Sequence, residues 1–405
     1  MIPFSPPKIN QEIIEEITDT LKSGWITTGP KTKLFEKKIS EYCGNPSTLC
    51  VSSATAGLEL ILRWFGIGEG DEVIVPAYTY CATANVVVHC GAKPVLADIN
   101  KDDFCIDVSK LKSLITPNTK VIIPVDIAGY PADYDSIFSL VNEQDVRSKF
   151  NAKTQEQKDL GRILILSDAA HSFGAFYKGK RTGVCTDITV FSFHAVKNLT
   201  TAEGGAIALN LPEPFENEKL YSFFNIMSLH GQSKDALAKT AGNWRYDVIS
   251  AGYKANMTDI QASMGLVEIK LYDKETIPRR KEIFDMYSKA FASFSWAKCP
   301  LYENDTNTSS YHVYLLRING IDENMRDDII SRIFKKEVAV NVHFQPLPLL
   351  SFYKNLGYKM GDYPVSYSNY ACEISLPVYF DLTNNDVETV INAVKTSVEE
   401  VLKSV

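Results

Sequence analysis

Lys197 follows an apolar run, and the sequence around it predicts that its side chain is shielded from water. In DITVFSFHAVKNLTTAEGGAIALN, residues 187–210, a predicted strand leads to Ser192 and Lys197 before a glycine pair begins another strand. Apolar surroundings lower the pKa of a lysine and leave a neutral amine that can attack an aldehyde. The alternative is a solvated lysine at a strand end, so the interpretation depends on the companions of Lys197.

The first companion is an aspartate that ends a second apolar run. Asp168 closes RILILSD and is followed by small residues, which permit a flat ring to approach closely. A carboxylate there can accept the proton of a cofactor's pyridinium nitrogen and keep the ring cationic, and His171 is a candidate to support it. The alternative is that Asp168 caps the following turn.

The second companion is a set of hydroxyl side chains at a predicted helix start. In VSSATAGLEL, a strand is followed by Ser52, Ser53 and Thr55 at the beginning of an apolar helix. Free backbone N–H groups, the helix dipole and hydroxyls together favour phosphate binding. The segment lacks a Walker lysine and a GxGxxG run, which disfavours nucleotide cleavage or dinucleotide binding. A simple N-cap is the alternative.

The third companion is a pair of aromatic rings. Tyr78 and Tyr80 follow the predicted strand DEVIV in PAYTYCATAN. One of them is expected to face the crevice, where its ring would stack on a planar cofactor, while packing in the core is the alternative for either.

These residues require an α/β domain to bring them together. Between Thr48 and Asn210, short β-rich runs alternate with helix-like runs, which is typical of a mainly parallel sheet. Functional residues in such folds gather where loops leave the carboxyl ends of strands. The residues that close each predicted strand are therefore the candidates.

The length and the later sequence predict two domains. We expect a large domain over residues 12–248 and a small C-terminal α+β domain over 249–405, with residues 1–11 packing against the small one. The small domain is predicted to contain the strands YHVYLLRI and VAVNVHF. A polar stretch near residues 140–158 is predicted to be an exposed helix or loop insertion.

Composition excludes several classes of protein. The chain has 405 residues and a formal charge of −7 without basic runs, so nucleic acid is not an expected partner. The sequence contains neither a recognisable signal peptide nor a run of about 20 apolar residues, so we expect a cytoplasmic protein without a membrane span. The eight cysteines form no CxxC pair, and no ligand-spaced cluster predicts a metal site.

Taken in order, these segments resemble the DegT/DnrJ/EryC1/StrS family of sugar aminotransferases. The resemblance covers nearly the whole chain and includes LKSGWITTGPKTKLFEKKI, VSSATAGLEL, GDEVIVPAYTYCATAN, SDAAHSFGAFYKGK, FSFHAVKNLTTAEGG and GYKANMTDIQASMG. It implies the fold of pyridoxal-phosphate-dependent transferases of type I, which is aspartate-aminotransferase-like. It also implies pyridoxal 5'-phosphate as cofactor, with pyridoxamine 5'-phosphate as the intermediate form.

The resemblance also implies roles for individual residues. Lys197 would form the Schiff base and shuttle the proton, and Asp168 would pair with the pyridine nitrogen. The other cofactor contacts would come from Ala54, Thr55, Ser192, Tyr80 and His171, with Asn256 reaching the phosphate of the other subunit's cofactor. This last role implies a homodimer with shared active sites.

Within the family, FSFHAVKNLTTAEGG and GYKANMTDIQA are most similar to enzymes that aminate C4 of UDP-linked 4-keto sugars. The implied reaction moves an amino group from L-glutamate to such a sugar, with UDP-2-acetamido-2,6-dideoxy-4-keto-hexose as the expected substrate and bacterial surface polysaccharide, such as capsule, as the destination. Lys31 and Lys33 are candidates for diphosphate contact, with surface solvation as the alternative. His343 is a candidate for sugar contact, with a hydrogen-bonded core histidine as the alternative.

Three other functions remain open at this point. The UDP-4-keto-pentose aminotransferase of lipid A modification is the nearest. Ala255 stands where the C4-aminating branch usually has an aromatic residue, and this departure disfavours the pentose substrate. A sugar dehydratase of the same fold would replace Lys197 with histidine. A non-catalytic regulator on this fold is disfavoured because lysine and aspartate are both present.

Overall fold

The computed structural model describes residues 1–233 and 245–403. Its strands are β1 (Ser47–Val51), β2 (Glu72–Pro76), β3 (Lys93–Ala97), β4 (Thr119–Ile122), β5 (Leu164–Asp168), β6 (Phe176–Tyr177), β7 (Lys180–Arg181), β8 (Ile188–Ser192), β9 (Gly205–Leu209), β10 (Ala297–Lys298), β11 (Asn307–Thr308), β12 (Tyr314–Ile318) and β13 (Glu373–Leu376).

The helices surround these strands. They are α1 (Gln11–Ser23), α2 (Pro30–Cys43), α3 (Ala54–Trp64), α4 (Ala82–His89), α5 (Val108–Leu114), α6 (Tyr134–Asn142), α7 (Gln144–Lys149), α8 (Gln155–Leu160), α9 (Asn217–Met227), α10 (Asp259–Leu271), α11 (Ile277–Phe291), α12 (Glu323–Lys335), α13 (Ser351–Asn355), α14 (Pro364–Cys372) and α15 (Asn384–Leu402). None of those in the described ranges has both the length and the apolar character that crossing a membrane requires.

The central sheet has the strand order β1-β9-β8-β5-β4-β2-β3. Neighbours from β8 to β3 run parallel, whereas β9 is antiparallel to both β8 and β1. The prediction of a mainly parallel sheet is therefore confirmed. Ser192 pairs with Gly205, and Asp168 pairs with Val190, so the ends of β8 and β5 lie at the same edge of the sheet.

Both faces of this sheet are covered. Along β8, Ile188 and Val190 join the core on one face, and Phe191 joins the core on the other. Strands buried on both sides need a continuous apolar sequence rather than an alternating one. This requirement explains why the runs before Asp168 and Ser192 are apolar almost throughout.

The C-terminal part contains a smaller antiparallel sheet of β10, β12 and β13. Helices α11, α12 and α15 pack on one another around its core. The N-terminal segment reaches this part, because Ile2 forms a parallel bridge with Val338. The domain boundary at residue 248 stays a prediction.

Two local expectations differ from the structure. The polar stretch near residues 140–158 forms α7 and α8, but it is not simply exposed: Val146 is buried in the core, and the buried Gln157 side chain donates to the carbonyl of Phe65 at 2.7 Å. A buried amide is tolerated because it is hydrogen-bonded. The expected strand VAVNVHF forms only single bridges, at Val338 and Asn341.

Candidate active site

A cavity of about 400 Å³ lies at the carboxyl ends of β5 and β8. Nine residues singled out in the sequence line it: Ser53, Ala54, Thr55, Tyr80, Asp168, His171, Ser192, Lys197 and His343. These residues come from separate strands and loops, so the sheet edge brings together positions that are far apart in the chain.

Lys197 lies in the loop that follows β8. Its N–H donates to the carbonyl of His194 at 2.9 Å, and the next two residues, Asn198 and Leu199, are buried. Burial lowers the pKa of Lys197 to about 8, although the opposite charge of Asp168 acts against this change. At pH 7 about one amine in ten is then neutral, roughly 300 times the fraction of an ordinary lysine.

This pKa predicts how the apoprotein captures an aldehyde cofactor. Only the neutral amine attacks, and for a lowered pKa its fraction rises as the pH increases through about 8. We expect the rate of pyridoxal phosphate capture, followed by stopped-flow absorption, to rise with a midpoint near pH 8. Free N-acetyl-lysine serves as the reference. A midpoint equal to that of the reference would show that Lys197 is not desolvated.

Asp168 ends β5 and faces the same cavity. Its carboxylate accepts hydrogen bonds from the Thr83 hydroxyl at 2.7 Å and from the Ala170 N–H at 3.2 Å. Burial raises its pKa, while these two bonds and the Lys197 charge hold it down. Asp168 therefore caps the following turn and still presents a carboxylate to the cavity, so the two sequence interpretations are compatible.

His171 forms part of an aromatic wall. Its Nδ1 accepts the N–H of Ala128 at 3.2 Å, which places the ring proton on Nε2. Burial and the nearby Lys197 charge push its pKa well below the usual range, so the ring is neutral. It packs against His312 at 4.4 Å between centroids and stacks on Phe344 at 5.7 Å.

Asn198, the residue after Lys197, is held by two hydrogen bonds, one of them to His312 of this wall. Asn198 donates from its amide nitrogen to the carbonyl of Ser310 at 2.6 Å and accepts the Nδ1 proton of His312 at 2.7 Å. Burial drives the pKa of His312 well below its usual range, which keeps this ring neutral too. Side chains from both parts of the chain thus hold the loop that carries Lys197.

The beginning of α3 provides the phosphate-binding geometry. Ser53 is the N-cap, and its hydroxyl accepts the Ala56 N–H at 3.1 Å, while Ala54 and Thr55 line the cavity. Ser192 faces them from the end of β8. Helix N-termini favour anions through their free N–H groups and dipole. Capping by Ser53 is therefore compatible with the predicted phosphate site.

A close approach explains one glycine of the TAEGG segment. A Cβ on Gly205 would lie 2.6 Å from the Ala54 nitrogen and 2.8 Å from the Phe191 carbonyl oxygen. Contacts this short with backbone atoms are not tolerated, so only glycine lets β9 begin beside the first turn of α3.

The two tyrosines of PAYTYCATAN have different surroundings. Tyr78 is fully buried, and its hydroxyl donates to the carbonyl of His343 at 2.6 Å. Tyr80 is 60% exposed and lines the cavity, with its ring 5.9 Å from that of Phe344. Tyr80 is thus the one placed to stack on a planar ligand.

His343 lines the opposite wall. Its Nδ1 lies 2.9 Å from the Ser375 hydroxyl, and its ring stacks on Phe4 at 5.4 Å. Burial and the Lys197 charge lower its pKa to about 3, so it is neutral. His343 is hydrogen-bonded in the core and also lines the cavity, so its contact with a sugar stays a prediction.

The structure does not bring three candidates to the cavity of their own chain: Lys31, Lys33 and Asn256. Lys33 forms an ion pair with Glu36 at 3.2 Å. Lys31 forms ion pairs with Glu16 at 2.7 Å and Asp19 at 2.9 Å. The side chain of Asn256 donates to the Thr28 hydroxyl at 2.6 Å and accepts from Lys254 at 2.6 Å. The substrate contact of Lys31 stays a prediction, and within its own chain the ammonium is paired with these two carboxylates.

Sequence reasoning missed Thr83, Phe4 and Phe344. Thr83 is the second residue of α4, and its spacing of four from Thr79, which precedes the helix, is only a weak signal. Phe4 and Phe344 enter the cavity from segments without regular secondary structure. Neither carries a pattern that indicates which way its ring faces.

Comparison with known proteins identifies relatives along the whole chain. The model of the DegT/DnrJ/EryC1/StrS aminotransferase family matches residues 7–395. SpsC of Bacillus subtilis, a spore coat polysaccharide biosynthesis protein, is 36% identical over 403 residues, which cover 98% of this chain and 97% of SpsC.

Solved structures agree. Spr1654 of Streptococcus pneumoniae, assigned as a sugar aminotransferase, matches in its PMP form with a TM-score of 0.95 and 48% identity over 99% of this chain and 100% of that chain. PseC of Helicobacter pylori, an aminotransferase involved in the biosynthesis of pseudoaminic acid, matches with a TM-score of 0.85 and 26% identity over 98% and 99%. These neighbours confirm the expected aspartate-aminotransferase-like fold.

Proposed function

Because the chain belongs to the DegT/DnrJ/EryC1/StrS aminotransferase family, we propose that this sugar aminotransferase moves an amino group from L-glutamate to the C4 carbonyl of a UDP-linked 4-keto sugar. The substrate we propose is UDP-2-acetamido-2,6-dideoxy-4-keto-hexose, and the product serves a bacterial surface polysaccharide, such as a capsule. The observation that carries the proposal is the placement of Lys197 and Asp168 in one cavity.

Pyridoxal phosphate is the cofactor of the family, and Spr1654 occurs in PLP and PMP forms. The residues of this chain fit it: a desolvated lysine for the aldehyde, a buried carboxylate for the ring nitrogen, and a helix N-terminus with Thr55 and Ser192 for the phosphate. When bound, the cofactor withdraws electrons from the reacting carbon.

The residues of this chain supply the remaining steps. Lys197, with a pKa of about 8, accepts a proton from the amino donor and returns it later as an acid. The Asp168 carboxylate, whose charged form is favoured by the bonds from Thr83 and Ala170, would hold the ring nitrogen of the bound cofactor protonated. The neutral rings of His171 and His312 exclude water without adding charge.

The substrate class draws on the relatives. SpsC is named for polysaccharide biosynthesis, and PseC for the biosynthesis of pseudoaminic acid. Ala255 precedes Asn256 and places a small, buried side chain beside the predicted phosphate contact. Its position is held by its carbonyl, which accepts the Ser52 N–H at 2.7 Å. The small side chain supports a hexose over the pentose of lipid A modification. Lys197 itself disfavours a dehydratase, which would have histidine there.

The test is a substrate panel. The holoenzyme is incubated with glutamate and a set of UDP- and dTDP-4-keto sugars, and each product and its C4 configuration are identified by NMR. We expect 2-oxoglutarate and a 4-amino sugar with the UDP-2-acetamido-2,6-dideoxy-4-keto-hexose. Lack of 2-oxoglutarate with every member of the panel would overturn the substrate class, while formation with dTDP sugars alone would overturn the UDP assignment.

We further propose a homodimer with shared active sites. Among the described residues that line the cavity, Lys197 is the one lysine or arginine, yet a nucleotide diphosphate and a cofactor phosphate are both anionic. Anions of this charge are usually held by cations or by several N–H groups. Asn256 and Lys31, which lie outside the cavity of their own chain, are the residues we propose to act in the partner's cavity.

Subunit complementation tests this sharing. We expect the variants Lys197→Ala and Asn256→Ala to be impaired when each is assayed alone. After unfolding and refolding as a mixture, half the dimers are mixed and each contains one native site, so about a quarter of the sites recover. The two variants refolded separately are the controls. Recovery no greater than their sum would show that Asn256 acts within its own chain.

A further inference from the structure

A buried hydrogen-bond chain ends on the cavity at His343. Glu373, the first residue of β13, is fully buried, and its Oε2 accepts the N–H of His343 at 3.1 Å. The other carboxyl oxygen lies 2.6 Å from the hydroxyl of Ser375, which in turn lies 2.9 Å from Nδ1 of His343. The three side chains thus form a continuous path from the core to the cavity wall.

The glutamate at the buried end is not neutralised by an ion pair. Within residues 1–233 and 245–403, no cation lies within ion-pair distance of the Glu373 carboxyl. Arg326 pairs with Asp327 at 2.6 Å, and Arg317 donates to Asn369 at 3.1 Å. Burial therefore raises the pKa of Glu373 to about 8, despite its bonds to Ser375 and His343 and the weaker attraction of both arginines.

Other titratable groups surround the chain. Tyr78 and Cys372 face Glu373, and burial raises the pKa of both groups, which favours their neutral forms. Lys197, His171 and His312 lie around His343, and the two histidines are neutral. Lys197 is the one further group among these that, as the free amine, changes charge near pH 8.

A single hydroxyl couples the two ends. The Ser375 O–H can donate in only one direction at a time. If Glu373 is ionised, Ser375 donates to it and accepts the Nδ1 proton of His343. If Glu373 is protonated, it donates to Ser375, and Ser375 donates to Nδ1. Because the His343 ring is neutral and holds one proton, that proton moves between Nδ1 and Nε2.

We propose that Glu373 and Ser375 are positioning residues that set the tautomer of His343: protonated Glu373 makes Nε2 a hydrogen-bond donor toward the cavity, and ionised Glu373 makes it an acceptor. Since Ser375 occupies Nδ1, Nε2 is the nitrogen left for a ligand. At neutral pH the donor form predominates. In this donor form, Nε2 of His343 binds a carbonyl oxygen of the keto sugar, a step that rests on the proposed function.

The tautomer can be read directly by NMR of the holoenzyme labelled with ¹⁵N-histidine, with the signal of His343 assigned through His343→Gln. In the wild type we expect the ring proton of His343 to be on Nε2 at about pH 6 and on Nδ1 at about pH 10, with a midpoint near pH 8. In Glu373→Gln the amide N–H donates to Ser375 permanently, so the proton stays on Nε2 throughout. In Ser375→Ala the tautomer no longer follows pH.

Two comparisons exclude other causes. Glu373→Gln retains Lys197, so a switch that persists in this variant would assign the effect to Lys197 and overturn the proposal. Ser288→Ala removes a hydroxyl from the same part of the chain, where it lies 3.0 Å from the Tyr314 hydroxyl, and is expected to keep the switch. A wild-type tautomer that stays constant across this range would also overturn the proposal.

Kinetics connect the tautomer with sugar binding. Between about pH 7 and about pH 9.5, the KM for the keto sugar is expected to rise about tenfold in the wild type and to stay constant in Glu373→Gln, with kcat less affected. An equal rise in both proteins would overturn the carbonyl contact. The NMR experiment requires no turnover, so a failed substrate panel with an intact switch would overturn the proposed function alone.

Discussion

Replacing Lys197 with alanine is expected to remove the visible absorption of the lysine-bound cofactor and to lower turnover by at least about 10³-fold. Lys197 is the one amine among the described residues that line the cavity, and its lowered pKa makes it both the nucleophile and the proton carrier. No neighbouring group replaces both roles, because His171, His312 and His343 are neutral and weakly basic.

The measurements are an absorption spectrum after incubation with pyridoxal phosphate and a single-turnover assay with the amino donor. Lys197→Arg keeps a cation but has no nucleophilic amine, so we expect it to be as inactive as Lys197→Ala. Lys178→Ala is the matched control, since that lysine pairs with Asp135 on the surface, and it should retain the spectrum and the activity. A coloured and active Lys197→Ala would contradict the assignment.

Loss of the protein fold would not explain the loss of activity. The Lys197 ammonium is held in a desolvated loop without an ion pair among the described residues, and such a charge costs stability. We therefore expect the thermal midpoint of the Lys197→Ala apoprotein to equal or exceed that of the wild-type apoprotein. A large decrease would indicate that the side chain is structural.

The sequence predicted the core of this site because its residues follow apolar strands. A strand buried on both faces has an apolar sequence, and the residue at its end must lie at the sheet edge where loops begin. Asp168 and Ser192 stand at such ends, and Lys197 follows in the next loop. The placement of each therefore follows from local pattern together with the rule for parallel sheets.

Contacts between distant segments could not be predicted in this way. Thr83 and Asp168 are separated by 85 residues, and His343 and Ser375 by 32. Each contact depends on how the helix or strand is rotated, and local sequence does not specify this. Glu373 was missed for the same reason, because a glutamate before ISLP gives no sign that it is buried.

The segment around His343 does not form the strand that its sequence pattern predicts. VAVNVHF alternates as a strand should, yet it pairs with its neighbours only at Val338 and Asn341. Its polar groups are satisfied differently: the N–H of His343 donates to Glu373, and its carbonyl accepts from Tyr78. Side-chain partners replaced a strand ladder, which is an outcome that β propensity does not anticipate.

Replacing Asp168 with asparagine is expected to leave cofactor binding detectable but to lower turnover by on the order of 10² to 10³-fold. Asparagine has the same size. Its amide oxygen can accept the Ala170 N–H, and its NH2 group can donate to the Thr83 hydroxyl, so the change removes mainly the negative charge. Without that charge, nothing else among the described residues that line this end of the cavity holds the ring nitrogen protonated. Glu203, the other carboxylate of the lining, is exposed and lies near His194.

The comparison with Thr83→Val separates charge from position. Valine removes one hydrogen bond to Asp168 but leaves the carboxylate, so turnover should fall by about tenfold or less. Its effect should also depend on pH: without the Thr83 bond the pKa of Asp168 rises further, and activity is lost at a higher pH than in the wild type as the medium is acidified. Asp168→Asn has no carboxylate to titrate and should not show this acid limb.

If Asp168→Asn retained more than about a tenth of the activity, the pairing of Asp168 with the ring nitrogen would be wrong, and its role would be limited to capping the turn at Ala170.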